Sequence, residues 1–252
     1  RELVLTAVAG AGLALVYAAA ELRADRDIVL RAVQQNGFAL RFADESLRSD
    51  RELILAAVSH SGALLRFAAE PLQADRDVVL AAVRQGGLAL RFAAEALRAD
   101  REVAMEAVRH SPSAFSYVDE ALRHDRFLFL EAVKLQGDLL LDAPRELRSD
   151  REIVLAAVRH SGSALSAVTK QLSRDREIVS EAVAQNGRAL QFASMDLRDD
   201  PEIALKAVRS AGAAYMYVAK DLRIKSWFGL QAIQANQDAL PYVAEELQVD
   251  SD

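Results

Sequence analysis

Apolar and polar positions along the chain repeat with a period of 25 residues. In each copy, apolar residues stand at columns 3, 4, 5, 7 and 8 and again near the end, with the spacing of an amphipathic helix. The apolar arc of the first stretch is wide enough for a helix that packs on two sides. The Leu column is filled in all ten copies, at positions 22, 47, 72, 97, 122, 147, 172, 197, 222 and 247.

Polar residues and Gly mark the predicted helix ends in each copy. Asp stands just before most copies begin, as at Asp25 and Asp50, where its side chain can cap the amides of the following helix. Eight of ten copies have Gly at column 12, which we expect to end the first helix in the left-handed conformation. Pro112 and Gln237 are the two exceptions. Each copy is therefore predicted to be two short helices joined by tight turns.

No such hairpin buries its apolar face alone, so the copies must stack on one another. The Ala at column 7 of each copy predicts the closest approach of neighbouring backbones. The predicted fold is all-α: one α-solenoid domain, 1–252, of ten helix-turn-helix repeats, which we expect to be a fragment or mature part of a longer chain. The repeats are 1–25, 26–50, 51–75, 76–100, 101–125, 126–150, 151–175, 176–200, 201–225 and 226–252.

The pattern D-R-E-I-V-L-x-A-V-x-Q-N-G-x-A-L-x-F-A-x-x-x-L-R resembles a family of short helical repeats known only as a domain of unknown function, found in protist, algal and some bacterial proteins. The resemblance extends over all ten copies. It implies a stacked helical fold and brings no activity, cofactor or partner with it.

Composition narrows the classes of function. The net charge is −6, which argues against a nucleic-acid binder, and the absence of Cys excludes disulfides and thiolate sites. Residues 3–20 carry no charge over a length that could span a bilayer, but they follow the repeat template, so we predict no membrane span. We expect a soluble, intracellular protein, although the sequence identifies no compartment.

Candidate chemistry is sparse. His60, His110 and His160 share one column, and each precedes Ser, but adjacent helical residues point about 100° apart and do not readily form a nucleophile–base pair. Other copies have Gln at this column, which indicates a polar turn position. No phosphate-loop motif is present. We therefore expect no catalytic, cofactor-binding or metal-binding residues, and no enzyme.

Basic residues line up in two variable columns. One row holds Arg41, Arg66 and Arg91, and the other holds Arg84, Arg109, Lys134 and Arg159. Both rows are candidates for meeting an acidic partner or phosphates, or are ordinary solvated surface balanced by nearby Glu. Two further Arg columns, which begin at Arg26 and Arg23, flank the Asp caps and predict a structural Asp–Arg ladder.

Three places break the repeat pattern. In the sixth copy, the apolar residues Phe127, Leu135 and Leu141 stand at columns that are usually polar, so they predict either an exposed interface patch or local repacking. The first copy carries the apolar residues Leu13 and Val16. We expect further repeats, another domain, a partner or a lipid surface to cover them. The last copy has Trp227 and Phe228 near its start, which predict a terminal cap or a docking point.

These observations favour a non-enzymatic protein–protein interaction scaffold, or an architectural subunit of a larger assembly that could lie beside a membrane. The predicted partner is a protein. The alternative is a nucleic-acid-binding helical array that uses its Arg rows, which the negative net charge makes less favourable.

Overall fold

The computed structural model describes the backbone of residues 1–249 and the side chains of residues 1–246. The described residues contain helices and no strand, so the predicted all-α solenoid is confirmed. The contacts divide the chain into two compact units, Arg1–Leu128 and Phe129–Asp252. The boundary falls within the helix Arg126–Leu135.

Each repeat has three helical segments rather than the two that we predicted. A long α-helix at columns 1–10 is followed by a six-residue 3-10 helix at columns 12–17 and a short third segment near columns 20–23. In the first unit, the long helices are Glu2–Gly10, Arg26–Gln35, Arg51–His60, Arg76–Gln85 and Arg101–His110. Its 3-10 helices are Gly12–Tyr17, Gly37–Phe42, Gly62–Phe67, Gly87–Phe92 and Pro112–Tyr117, and its third segments are Ala20–Arg23, Glu45–Ser49, Glu70–Gln73, Glu95–Arg98 and Glu120–Arg123.

The second unit repeats the same order. Its long helices after the boundary are Arg151–His160, Arg176–Gln185, Pro201–Ser210 and Ser226–Ala235. Its 3-10 helices are Gly137–Asp142, Gly162–Ala167, Gly187–Phe192, Gly212–Tyr217 and Gln237–Ala239. The third segments are Arg145–Arg148, Leu172–Arg174, Met195–Arg198 and Lys220–Arg223, and the last helix is Leu240–Val249. The end of the predicted tenth repeat, residues 250–252, lies outside the described residues.

The second predicted helix is broken by a stretch of extended backbone, and in six repeats the amide that follows bonds to the preceding repeat. After the 3-10 helix the chain becomes extended, as at Ala68 (φ −69°, ψ 144°). The next amide, that of Ala69, then donates to the carbonyl of Arg48 in the preceding repeat at 3.0 Å. A continuous helix would use that amide within its own turn, so the inter-repeat bond and an unbroken second helix exclude each other.

The core follows the predicted columns. In the third repeat, Leu53, Ile54, Ala57 and Val58 of the long helix are fully buried, as is Leu65 of the 3-10 helix. At about 25 cal/mol per Å² of apolar surface, burial of this kind is the main stabilising contribution to each unit.

The column-12 glycines have a different role from the one we predicted. None of the glycines adopts a positive φ, so a left-handed conformation does not explain them. A Cβ on Gly62 would instead overlap the carbonyl oxygen of Ala82, and one on Gly187 would overlap that of Ala207. The Gly column therefore permits the close backbone approach that we predicted at the Ala column.

The Asp–Arg ladder is confirmed for the Arg at column 1. Asp75 caps its helix by accepting hydrogen bonds from the amides of Asp77 and Val78, at 3.0 and 3.1 Å. Arg51, at the start of the preceding long helix, donates to Asp75 at 2.8 Å and to Asp77 at 3.0 Å. The hydrogen bond from Arg51, followed by that from the Val78 amide, lowers the pKa of Asp75 although partial burial opposes the shift.

The Arg column that precedes the caps does not join this ladder. Arg123 donates to the backbone carbonyls of Val118 and Ser116, and Arg198 donates to the carbonyl of Tyr217 in the following repeat at 2.6 Å. These arginines therefore tie the chain to backbone carbonyls of the 3-10 segments.

Candidate binding surface

The first basic row lies on the 3-10 helices of repeats two to four. The guanidinium groups of Arg41, Arg66 and Arg91 stand 4.9, 4.6 and 4.5 Å from the ring centroids of the Phe residues that follow them. These rings are those of Phe42, Phe67 and Phe92. Such cation–π contacts are worth roughly 0.5–1 kcal/mol when exposed, and they restrict the Arg side chain before a partner arrives.

Apolar residues share the surface of this row. A 3-10 helix has three residues per turn, so columns 13 and 16 of each repeat lie on the same side. Phe38 and Leu88, at column 13, are 47% and 44% exposed. Leu13 and Val16 of the first repeat occupy the same two columns and are also exposed. We call the surface formed by Leu13, Val16, Phe38, Arg41, Ala63, Arg66, Leu88 and Arg91 the 3-10 face.

The cations of the 3-10 face have no acidic neighbours. Within the described part of the first unit, no carboxylate lies within 4.0 Å of Arg41, Arg66 or Arg91. All three side chains are exposed. The surface therefore presents three accessible positive charges in register with exposed apolar groups.

The second basic row is largely neutralised. Arg84 pairs with Glu106 at 3.0 Å, Lys134 pairs with Glu131 at 2.8 Å, and Arg159 pairs with Glu177 at 3.3 Å. Arg109 is exposed. Nearby Glu residues balance this row, as one of the two sequence interpretations expected, so it offers little net charge to a partner.

The three apolar residues of the sixth repeat are all exposed, but they belong to different units. Phe127, in the first unit, is 62% exposed and lies 5.9 Å from the guanidinium of Arg101. It replaces the acid that the ladder uses elsewhere, so Arg101 contacts an aromatic ring there. Leu135 and Leu141 are exposed in the second unit. Leu141 occupies column 16, the position of the Arg row in repeats two to four.

The histidine column has a structural role. His160 accepts a hydrogen bond from the amide of Gly137 at its Nδ1 atom (3.1 Å), and Gln35 and Ser210 accept from Gly12 and Gly187 in the same way. The neighbouring Ser161 donates to Asp138 at 2.7 Å and makes no bond to His160. At these three positions the column supplies acceptors for amides of the preceding repeats, whereas the Nδ1 atom of His110 bonds to the carbonyl of Glu106 in its own helix at 2.9 Å.

A related exception occurs in the sequence. Leu135, which cannot accept a hydrogen bond, stands at the acceptor column of the sixth repeat. The preceding repeat has Pro112 at the donor column, and Pro has no amide N–H to donate. The donor and the acceptor are thus lost together, which gives Leu135 an explanation other than partner binding.

One predicted site residue of the last repeat, Phe228, has a different role in the structure. Phe228 is fully buried and stacks on Tyr215, with ring centroids 5.8 Å apart. Burial raises the pKa of Tyr215, whose hydroxyl donates to the carbonyl of Arg223 at 2.7 Å. The predicted docking role of Phe228 is wrong because its side chain is part of the core. Trp227, which packs edge-on against Phe228, is 46% exposed.

Two other kinds of feature, a metal-binding cluster and a membrane-spanning helix, are absent from the described residues. In the described part of the chain, no group of three or more His, Asp or Glu residues is arranged to hold a metal ion. None of the described helices has both the length and the apolar character needed to cross a bilayer. The uncharged stretch 3–20 forms three separate helical segments, which are Glu2–Gly10, Gly12–Tyr17 and the start of Ala20–Arg23.

The comparison with protein families agrees with the repeat architecture. A model described as "Domain of unknown function (DUF4116)" matches residues 1–48, 50–98, 100–144, 125–173 and 175–223. The chain belongs to the DUF4116 family. Each DUF4116 match extends over about two of the 25-residue repeats, so the family unit is a pair of stacked repeats. No curated protein and no solved structure matches this DUF4116 chain.

Sequence reasoning missed the apolar half of the 3-10 face. Phe38 and Leu88 fall within the second predicted helix of their copies, and in an ordinary helix residues three apart are offset by about 60°. The available signal was their spacing of three from Arg41 and Arg91, but it becomes meaningful only for a 3-10 helix. Leu13 and Val16 were singled out as an end of the array, and the structure places them on the same face as the Arg row.

Proposed function

We propose that this DUF4116 protein is a non-enzymatic scaffold whose 3-10 face binds an acidic, partly apolar segment of a protein partner. The supporting observation is the row of three unpaired Arg side chains, each stacked on its own Phe, with exposed apolar residues in the same columns. The positive charge of this face favours a negatively charged partner segment. Its exposed apolar side chains add stabilisation when they are buried against that segment.

Geometry supports an extended segment. Neighbouring packed helices lie roughly 8–10 Å apart. A segment in the extended polyproline II conformation advances about 3.1 Å per residue with three residues per turn, so one turn spans about one repeat and every third side chain lies on the same side. A partner with an acidic residue at every third position would meet Arg41, Arg66 and Arg91 in succession. Its intervening apolar residues would meet the column-13 side chains.

The stacked Phe rings favour a carboxylate-bearing partner of this kind. Holding the guanidinium groups in place lowers the entropy that binding must remove. The planar guanidinium can also donate two parallel hydrogen bonds to one carboxylate. Phosphates of nucleic acid satisfy the same donors, but the neutralised second row and the net charge of −6 offer no extended basic track.

The test measures binding of fluorescent peptides by anisotropy. The probe is a peptide with about four copies of the three-residue motif acid-apolar-small. Its spacing matches one polyproline II turn of three residues per repeat. A scrambled peptide of the same composition, and a single-stranded oligonucleotide, are the comparison probes. We expect saturable binding of the probe and weaker binding of the scrambled peptide.

Variants locate the binding. Replacing Arg41, Arg66 and Arg91 by Glu is expected to weaken probe binding by at least about tenfold, since an attractive row becomes repulsive. The matched control places Glu at Ser116, Ser166 and Gln191, which stand in the same column of other repeats. Equal binding by both variants contradicts the proposal. Tighter, steeply salt-dependent binding of the oligonucleotide would replace it with the nucleic-acid alternative.

A further inference from the structure

The junction between repeats six and seven, in the second unit, departs from its neighbours. In repeats eight and nine of this unit the column-19 amide bonds to the preceding repeat, as Ser194 does to the carbonyl of Ser173 at 2.9 Å and Ala219 to that of Arg198 at 3.0 Å. Pro144, at this column of repeat six, has no amide N–H to donate. Thr169 holds the same column, and the described residues show no such bond from its amide. The third segment of this repeat is the 3-10 turn Leu172–Arg174 rather than an α-helix.

The missing bond coincides with a groove. It has a volume of about 580 Å³ and is open to solvent along one side. Residues of repeat six form one wall and residues of repeat seven form the other, with Ala167 and Val168 as its apolar part. Grooves and pockets of roughly 300–1,000 Å³ are the usual size for small-molecule ligands.

The lining of the groove is cationic. Arg145, Arg148 and Lys170 all line it, and no carboxylate does. In the part of the chain that the structure describes, none of the three has an acidic group within 4.0 Å. Three cations that converge without a counter-charge repel one another, so an anion that joins them removes an unfavourable interaction.

Arg148 is the least exposed of the three cations: its side chain is partly buried, whereas Arg145 and Lys170 are exposed. Its counterpart in repeat eight, Arg198, donates from Nε to the carbonyl of Tyr217 in the next repeat. The equivalent acceptor for Arg148 is the carbonyl of Ala167, which it does not reach. The Nε atom of Arg148 is buried and has no hydrogen-bond partner among the described residues, and the same holds for Arg23, Arg48 and Arg223 of this column. The groove is therefore distinguished by its three uncompensated cations rather than by this atom.

We propose that this groove is a binding site for a small soluble organic phosphate. The Arg guanidinium groups suit bidentate contact with a phosphate, and Lys170 adds a point charge. A phosphate monoester carries about −1.5 to −2 charges at neutral pH, which matches a site of three cations better than a single carboxylate does. The volume exceeds that of phosphate alone, and Val168 and Ala167 can contact the organic part.

The test is isothermal titration of the whole chain with ribose 5-phosphate, pyrophosphate and ribose. We expect saturable binding of the two phosphate compounds, with ribose inert. Replacing Arg145 and Arg148 by Gln is expected to weaken binding by at least about tenfold, through loss of the bidentate contacts. Arg188→Gln, which removes the same kind of charge from an exposed position of the same unit, is the matched control and should bind as the parent does.

One further variant and three possible outcomes decide whether the groove binds a soluble organic phosphate. The Arg148→Lys variant keeps the charge but loses the planar fork, so it should bind more weakly than the parent and more tightly than Arg148→Gln. Absence of binding to both phosphate compounds, or equal loss in Arg188→Gln, overturns the proposal. Capture of phosphatidylcholine vesicles only when they contain phosphatidic acid, with no binding of ribose 5-phosphate, assigns the phosphate to a lipid headgroup and overturns the soluble ligand. Thermal unfolding of each variant checks that it is folded.

Discussion

The backbone of Gly62 lies directly against the carbonyl oxygen of Ala82 in the next repeat, leaving no room for a Cβ. We therefore expect Gly62→Ala to lower the free energy of unfolding by about 1–3 kcal/mol, since the added methyl meets backbone that cannot rotate away. Urea denaturation measures the change.

Gly86 provides the matched control for this substitution. It lies in the same unit, its backbone is extended, and a Cβ there would meet nothing within 4 Å. Gly86→Ala should leave stability unchanged or raise it by about 0.4–1 kcal/mol, because Ala restricts the unfolded chain. Equal destabilisation by the two substitutions would contradict the close-approach explanation of the Gly column.

The ladder predicts how stability depends on pH. The native state lowers the pKa of Asp75, and the same direction holds for Asp50, Asp100 and Asp125. A carboxyl whose pKa is lower in the folded state stabilises the fold above its unfolded pKa of about 3.9, and this stability is lost as the pH falls through the folded pKa. The free energy of unfolding should therefore decline from about pH 5 downward.

Asp75→Asn isolates one member of the ladder. Asn still accepts the capping hydrogen bonds but cannot form the ion pair with Arg51. We expect a loss of no more than about 1 kcal/mol at pH 7 and a shallower decline toward low pH than in the parent. An unchanged pH dependence, measured by urea denaturation between pH 7 and pH 2, would argue against the assigned role of Asp75.

Phe127 replaces an acid beside Arg101, so restoring the acid should strengthen the ladder. In the preceding repeat, Arg76 pairs with Glu102 at this position. Phe127→Glu is expected to raise the free energy of unfolding by up to about 1 kcal/mol at low salt, through the ion pair and the favourable helix N-terminus. Phe127→Gln, which adds no charge, is the control. A Glu variant no more stable than the Gln variant would count against the pairing.

The two aromatic residues of the last repeat should differ sharply. Phe228 is buried against Tyr215, so Phe228→Ala is expected to cost about 3–5 kcal/mol. Trp227 is half-exposed, and Trp227→Ala should cost less, because part of its surface stays in contact with water. Thermal unfolding distinguishes them. Similar losses would show that Trp227 is as deeply packed as its neighbour.

Much of the fold could be predicted because its signals are local. The 25-residue period, the capping role of Asp75 and the buried columns around Ala57 and Val58 depend on residues a few positions apart. The long helix is of this kind, since its apolar spacing and its cap lie within ten residues. The predicted ladder of Arg51 and its equivalents also followed, because the same charges recur in most repeats.

The candidate site was predicted only in part. The sequence identified Arg41, Arg66 and Arg91 as a row, since one column of basic residues is visible in a repeat alignment. It did not indicate that Phe38 and Leu88 join them, because the spacing of an ordinary helix does not place them beside the Arg row, and the 3-10 geometry is found only in the structure. It left open whether Glu106 neutralises Arg84, because the answer depends on the distance between side chains on neighbouring helices, which is 3.0 Å in the structure.

The sequence alone thus determined the period, the all-α class, the caps and the core columns, because helix periodicity and capping act within a few residues. The tertiary structure alone decided that Gly62 serves close approach rather than a left-handed turn, that Phe228 is core, and that Thr169 leaves a cationic groove. Each of these depends on how residues about 13 to 21 positions apart meet in space, and such contacts between repeats follow from packing rather than from local pattern.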